Sequence, residues 1–397
     1  MRRKNHVSNV ILLILVLLQP SYSIFFVLIG VENNREKEVL NKTFENLESS
    51  QKLNLTGTPI YINGNSGWAS TASSEEWCSG SGTFINPYII ENVIIDGQNS
   101  GSCIEIWHSN VYFIIRNCIL YNSGSYDAGI KIEYSDNGKI INNKCLSNYH
   151  GIFIRNGINF NISNNFVNDN THDGIVLESF LDNCTIKGNQ AINNYQHGIV
   201  LRQDCNDIFI LDNYIEDHTY SGILVQGGSS NNIVSGNTVI NNRPLWGIWV
   251  YNSDFNTIED NKISNNGKHG ILIEESNHNL ILDNIITYNE GNGIKFSSWL
   301  NNFCEYNLVH GNKVNSNYGH HIHVDTYSRF NDIYFNAFVD NGDLARDDGL
   351  NNTWDNGTIG NYWSDYNGLD ANDDGIGDTP HFILGSSGSQ DKFPIWD

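Results

Sequence analysis

The chain has 397 residues, 39% of them hydrophobic, enough to bury a large core in one elongated domain. Its formal net charge of −22 argues against a nucleic-acid partner, because phosphate binding needs a basic face that 22 Lys and Arg against 44 Asp and Glu do not offer. Solubility and cation binding are the ordinary uses of such a balance.

In chain order, Met1-Arg2-Arg3-Lys4 is a basic n-region, Val10 to Leu18 an apolar h-region, and Ser21-Tyr22-Ser23 offers small residues for cleavage. The apolar run continues from Ile24 to Val31, so the uncharged stretch from Val10 is also long enough to span a bilayer. Residues 1–31 are expected to be a signal peptide or a membrane anchor, the latter acting through residues 7–31, and both place the rest outside the cytoplasm. Residues 32–57 read as a charged spacer. Residues 58–102 read as an N-terminal cap, with Ile60-Tyr61-Ile62, a polar loop carrying Trp68 and Trp77, and a Gly/Ser-rich stretch. Its aromatic residues would cover the open strand edge of the repeats that begin at residue 103.

From 103 to 341 a Gly-Ile-x-aliphatic phrase returns every 22 to 28 residues. It aligns Ile104, Ile130, Ile152, Ile175, Ile199, Ile223, Ile248, Ile271, Ile294 and Ile322 in one column, with a second apolar column two residues on. A third aliphatic column starts at Ile114 and continues through Ile140, Ile162 and Ile186. Three residues after it comes an Asn column from Asn117 to Asn336, and five residues further another from Asn122 to Asn341, broken by His218. This pattern predicts an all-β solenoid, a right-handed parallel β-helix of about ten coils. Right-handed crossover is the default for parallel strands. Strands put Ile and Val inward, Asn amides satisfy the corners and stack coil on coil, and Gly permits a bend where a Cβ would clash.

The inward columns fix what lies outside. Between them run Phe153, Val176, Val200, Leu224, Trp249 and Leu272, an apolar outer stripe. Beside it Arg155, Glu178, Arg202 and Tyr251 interleave charges with an aromatic ring. Together they predict a ligand groove, carbohydrate being the expected partner: Phe153, Trp249 and Tyr251 would stack on sugar rings while Arg155, Glu178 and Arg202 bind hydroxyls. In the column before the glycines, Asp173 would lie within about 5 Å of both His150 and His197, a spacing for general acid/base catalysis. His321, His323 and Asp325 are expected to project together and to offer copper or zinc two imidazoles and a carboxylate.

Residues 342–397 turn acidic and aromatic and read as a C-terminal cap closed by Trp354, Tyr362, Trp363 and Tyr366. Within it Asp370, Asn372, Asp374, the Ile376 carbonyl and Asp378 have the oxygen spacing of a calcium loop, with Gly375 at the sharp turn and His381 where a bidentate Glu would normally sit. Of seven cysteines, Cys78 and Cys103 could be bridged, Cys145 reads as a small core residue, and none has metal-site spacing.

The cap phrases Gly80-Ser81-Gly82-Thr83 and Asn86-Pro87-Tyr88-Ile89-Ile90-Glu91, the Gly-Ile/Asn coils, the run Asn356 to Tyr366, Asp378-Thr379-Pro380 and Asp391-Lys392-Phe393-Pro394 together resemble the NosD-like right-handed β-helix proteins over residues 58 to 397. The resemblance implies an exported, pectin-lyase-like β-helix. The family's founding members are periplasmic accessory proteins linked to copper delivery for nitrous oxide reductase, and its coils resemble those of carbohydrate-binding and sugar-hydrolase proteins. No Asn-Thr-Asp, Gly-His-Gly, Arg-Ile-Lys or Asp-Pro-His phrase is present, which argues against a polysaccharide lyase, hydrolase or epimerase. Three functions are therefore expected in order: a carbohydrate binder, a copper accessory protein, and such an enzyme.

Overall fold

The computed structural model describes residues 52–299 and 302–396, so the expectations for residues 1–31 and for most of the spacer lie outside the described residues. Among the described residues no helix is long and apolar enough to cross a membrane.

The chain winds through three long sheets in turn. A representative coil runs from Ile199–Arg202 in the first sheet to Phe209–Leu211 in the second and Tyr214–Glu216 in the third, then returns to the first at Ile223–Gln226. The first and second sheets have 12 strands and the third has 13. Within these three sheets each strand pairs in parallel with the strand one coil below except Cys78–Ser79, which runs antiparallel to Tyr88–Glu91; a separate pair near the end, His381–Phe382 with Gln390–Asp391, is antiparallel as well. Coils extend into both stretches read as caps, since Ile60–Asn63 begins the first sheet and Arg346–Asp347 ends it.

Ile175, Ile199 and Ile223 are direct neighbours, and the same file continues without a break from Ile60 to Ile322. A β-branched side chain stiff at χ1 fits a pleated interior, which is why the sequence repeats it. The first coil departs from the expected alignment by one residue. Ile140 pairs with Ile115, not Ile114, and the corner positions of that coil belong to Cys118 and Ser123 rather than Asn117 and Asn122. Two successive isoleucines hide which one faces in. Asn117 is instead the left-handed corner residue just before the inward position, with φ 57°.

The inward asparagines form ladders. Asn213 donates through Nδ2 to the Oδ1 of Asn237 at 2.9 Å and to the Ile186 carbonyl at 2.9 Å, while Asn237 Oδ1 also accepts the Asn213 backbone N–H at 2.9 Å. Both ends of the Asn213 amide are thereby used, its Oδ1 accepting in turn from Asn189 Nδ2 at 3.0 Å. A third ladder, Asn232, Asn256, Asn279, Asn307, Asn331 and Asn352, lies at the corner between the first and second sheets and was not expected. Its lower positions are Phe160, Cys184 and Ile208, so only its upper part is written in Asn. The glycine of the repeat is required by close approach: a Cβ on Gly222 would lie 2.3 Å from Val239 Cγ1 and 2.8 Å from Asn242 Nδ2.

Near the start, the expected polar loop is a helix, Gly64–Ser74, which buries Trp68 against Tyr88 and Phe113 with ring centroids 5.4 and 5.1 Å away. At the far end Trp354 and Trp363 are buried over Phe338, while Tyr362 and Tyr366 are half-buried. All seven cysteines are buried and free, including Cys78 and Cys103.

Candidate functional site

The outer face of the first sheet carries most of the predicted residues. Phe153, Val176, Val200 and Leu224 are register neighbours and form, with Ala128 and the flank of Trp249, an apolar cluster separate from the core. They are buried, so they make a floor rather than an open stacking surface. Phe153 in particular is covered by the His150 ring, 5.4 Å between centroids, and by the Arg155 guanidinium at 5.1 Å, which removes it from direct contact with a sugar. The expected charge column is paired: Arg155 bridges Glu133 at 3.1 Å and Glu178 at 2.8 Å, and Arg202 meets Glu178 at 2.7 Å. Burial would raise the Glu178 carboxyl, yet Arg202 and Arg155 hold it below the usual carboxylate range.

Higher on the same face, Trp249 packs against Trp246 at 4.5 Å and Tyr251 at 5.6 Å. Its indole N–H donates to Glu274 Oε2 at 3.0 Å, and that of Trp299 donates to Oε1 at 3.4 Å. Trp299 is 71% exposed. Burial pushes the Glu274 carboxyl up, against the pull of the two indoles. Trp246 and Trp299 were not among the predicted binding residues; Trp299 comes from the longest interval between repeats, where no column aligns it.

Lower down, Asp173 is fully buried among His150, His172 and His197. Its Oδ2 accepts the His172 Nδ1–H at 2.9 Å and lies 3.7 Å from His150 Nδ1, and its Oδ1 accepts the His197 backbone N–H at 3.0 Å. His197 Nδ1 in turn accepts the Ser221 N–H at 3.2 Å, so its ring proton sits on Nε2. Burial would raise the Asp173 carboxyl, but the His172 hydrogen bond and the neighbouring imidazoles hold it at about 2. Burial lowers His150 to about 4 and lowers His197 as well. The predicted His150, Asp173 and His197 are thus brought together. His172 shares the carboxylate most directly and escapes the sequence pattern, because a column holds one residue per coil and His172 stands beside it.

His321, His323 and Asp325 do not converge. His321 occupies the corner position held by glycine in the lower coils and turns inward, 2% exposed, against Phe338 at 5.4 Å and Trp363 at 6.2 Å. The alternation that predicts an outward ring starts only at Ile322, where the strand begins. His323 faces Asp348 at 3.5 Å, and Asp325 accepts N–H bonds from Ser298 and Tyr327 at 2.9 and 3.2 Å. In the acidic loop, Asp370 accepts N–H bonds from Asp374 and Gly375, Asp374 from Ile376, and Asp378 from Ala371. These bonds order the loop backbone and still leave lone pairs on each carboxylate.

A solenoid of stacked parallel coils wound through three sheets is the architecture of the parallel β-helix proteins. The chain belongs to the family described as periplasmic copper-binding protein (NosD), which matches residues 45–244 and 216–368. Among solved structures it is similar to the A-module of mannuronan C-5 epimerase AlgE6 of Azotobacter vinelandii, with 17% identity and TM-score 0.62 over 81% of this chain and 93% of that one. The A-module of AlgE4 from the same organism is similar at 16% identity and TM-score 0.54, over 81% and 92%. These likenesses show the fold. No curated protein matches the chain.

Proposed function

We propose that this chain is an extracytoplasmic protein that binds carbohydrate on the outer face of its first sheet, centred on Trp246, Trp249, Tyr251 and Trp299 around Glu274. The exposed Trp299 indole, hydrogen-bonded to a half-buried carboxyl that a second indole also grips, carries this reading. Flat apolar faces beside fixed polar groups suit a sugar ring, which is apolar on one face and rimmed with hydroxyls. Arg155 and Arg202 continue the polar edge toward the lower coils, their charges balanced by Glu133 and Glu178 beneath. The mannuronan epimerases that share the fold act on a polysaccharide by name, and the family's description as periplasmic fits the apolar amino terminus. Binding is favoured over catalysis because Asp173, the carboxylate placed for acid/base work, is sealed from solvent and holds the His172 ring and the His197 backbone N–H instead.

A glycan screen with the full chain tests this. Trp299→Ala and Trp249→Ala should each weaken the bound glycans about tenfold or more, as for aromatic anchors elsewhere. Profiles identical to wild type for both variants would reject the site.

A further inference from the structure

We infer that His150, His172 and Asp173 form a binding site for a divalent transition-metal ion of borderline softness, Zn²⁺ or Cu²⁺, at the edge of the first sheet. This does not depend on the carbohydrate reading. Among the described residues this is the one trio of His, Cys, Asp or Glu in which a donor atom from each lies within 4.8 Å of the other two. Asp173 Oδ2 stands 2.9 Å from His172 Nδ1 and 3.7 Å from His150 Nδ1. Ligands about 2.0–2.1 Å from a tetrahedral ion sit roughly 3.3 Å apart, so the observed separations bracket what the ion needs, and small side-chain rotations close the set.

A second observation is independent of that spacing. The His150 side chain is 7% exposed, and its Nδ1 is buried without a hydrogen-bond partner. A buried ring nitrogen left unpaired costs the metal-free protein stability with no return. A cation between His150 and Asp173 supplies the missing partner. In the metal-free protein the His172 Nδ1 proton bridges to Asp173; when the ion binds, that neutral ring carries its proton on Nε2 and presents Nδ1 as a lone pair.

The surroundings hold the donors in place. Asp173 Oδ1 is anchored by the His197 backbone N–H, the Tyr149 ring stacks on His172 at 4.7 Å and 20°, and Phe153 lies under His150 at 5.4 Å. Such outer partners orient ligands and tune affinity. Two imidazoles with one carboxylate suit Zn²⁺ or Cu²⁺ and not Ca²⁺ or Mg²⁺, which require mostly oxygen. Copper falls in this class, in keeping with the family's description. Three protein ligands leave a position open beside His172, whose side chain is 19% exposed, for water or a ligand oxygen.

The test is calorimetric titration of the full chain, prepared without a histidine tag, with Zn²⁺ and with Cu²⁺, alongside electron paramagnetic resonance of the Cu²⁺ form. Wild type should bind one ion that excess Ca²⁺ does not displace, with nitrogen couplings from two imidazoles. His172→Phe retains a ring for Tyr149 and should weaken binding at least about tenfold, since a lost ligand costs no less than a lost outer partner. Its spectrum should show one imidazole. Asp173→Asn keeps an acceptor for His197 and should weaken binding similarly, which covers the case in which His172→Phe melts early. His323→Ala should bind as wild type does. Failure of wild type to bind either ion, or wild-type affinity in both His172→Phe and Asp173→Asn, would overturn the site. So would loss of binding confined to His323→Ala.

Discussion

His321 packs edge-on against Phe338 and Trp363 with neither ring nitrogen hydrogen-bonded. Leaving a buried polar atom unpaired costs about 1–3 kcal/mol, so the ring is a weak point in the core. Burial holds its pKa down at about 4, and the same cause holds His150 and His218 at about 4 and His269 at about 3. The unfolded chain takes up these protons near 6.5 and the folded chain only below 4, so between those values the unfolded state binds more protons. Their contribution is therefore complete above pH 6.5 and is lost as pH falls toward 4. Denaturant midpoints measured at about pH 7 and about pH 5 should show a marked drop. His321→Phe, which fills the same space without nitrogens, should raise the midpoint at both values and make the drop smaller.

At the scale of the element, the asparagine ladder does what a side chain in a globular core cannot, because its partner is an identical residue one coil away. Asn237 accepts two bonds from Asn213 and donates to the Ile210 and Ser235 carbonyls and to Asn261 Oδ1, all at 2.9–3.1 Å. Asn237→Ala strands partners on both sides and should lower the unfolding free energy by about 3 kcal/mol or more in denaturant titration. The exposed Lys139→Ala should stay within roughly 0.5 kcal/mol of wild type. Two ladders and the isoleucine file were legible in the sequence because one letter recurs at each. The third ladder was not, since Phe160, Cys184 and Ile208 occupy its lower half, where Asn232 begins only above them. The Gly64–Ser74 helix was equally hidden: its polar residues carry a single buried anchor, Trp68, too little for a helical stripe.

Across the whole molecule the difficulty lies at the ends, where a ladder runs out of coils. The first ladder stops on a carboxylate: Asp391 accepts the Asn361 N–H at 2.7 Å, the Trp363 indole N–H at 2.8 Å and the Phe393 N–H at 3.1 Å. The third stops on Asp347, which accepts from Asn352 and Trp354. Burial pushes Asp391 up to about 6, so its contribution is greatest below pH 3.8 and weakens as pH rises through 6. Asp391→Ala removes three donors' acceptor at once. It should cost about 3 kcal/mol and make residues 342–397 cleave faster in limited proteolysis while the coils below persist.

The sequence by itself determined the coil, because burial at a fixed period leaves few residue types that fit a given inward position, and repetition displays the choice many times over. It also determined which residues face out along the first sheet. Only the tertiary structure decided which outward groups act together. His172 joined Asp173 and His150, Trp299 reached Glu274 from an unaligned loop, and His321 left its expected partners for the interior. The physical reason is that corners and loops obey no strand alternation: there, side-chain direction is set by whatever packs from the next coil.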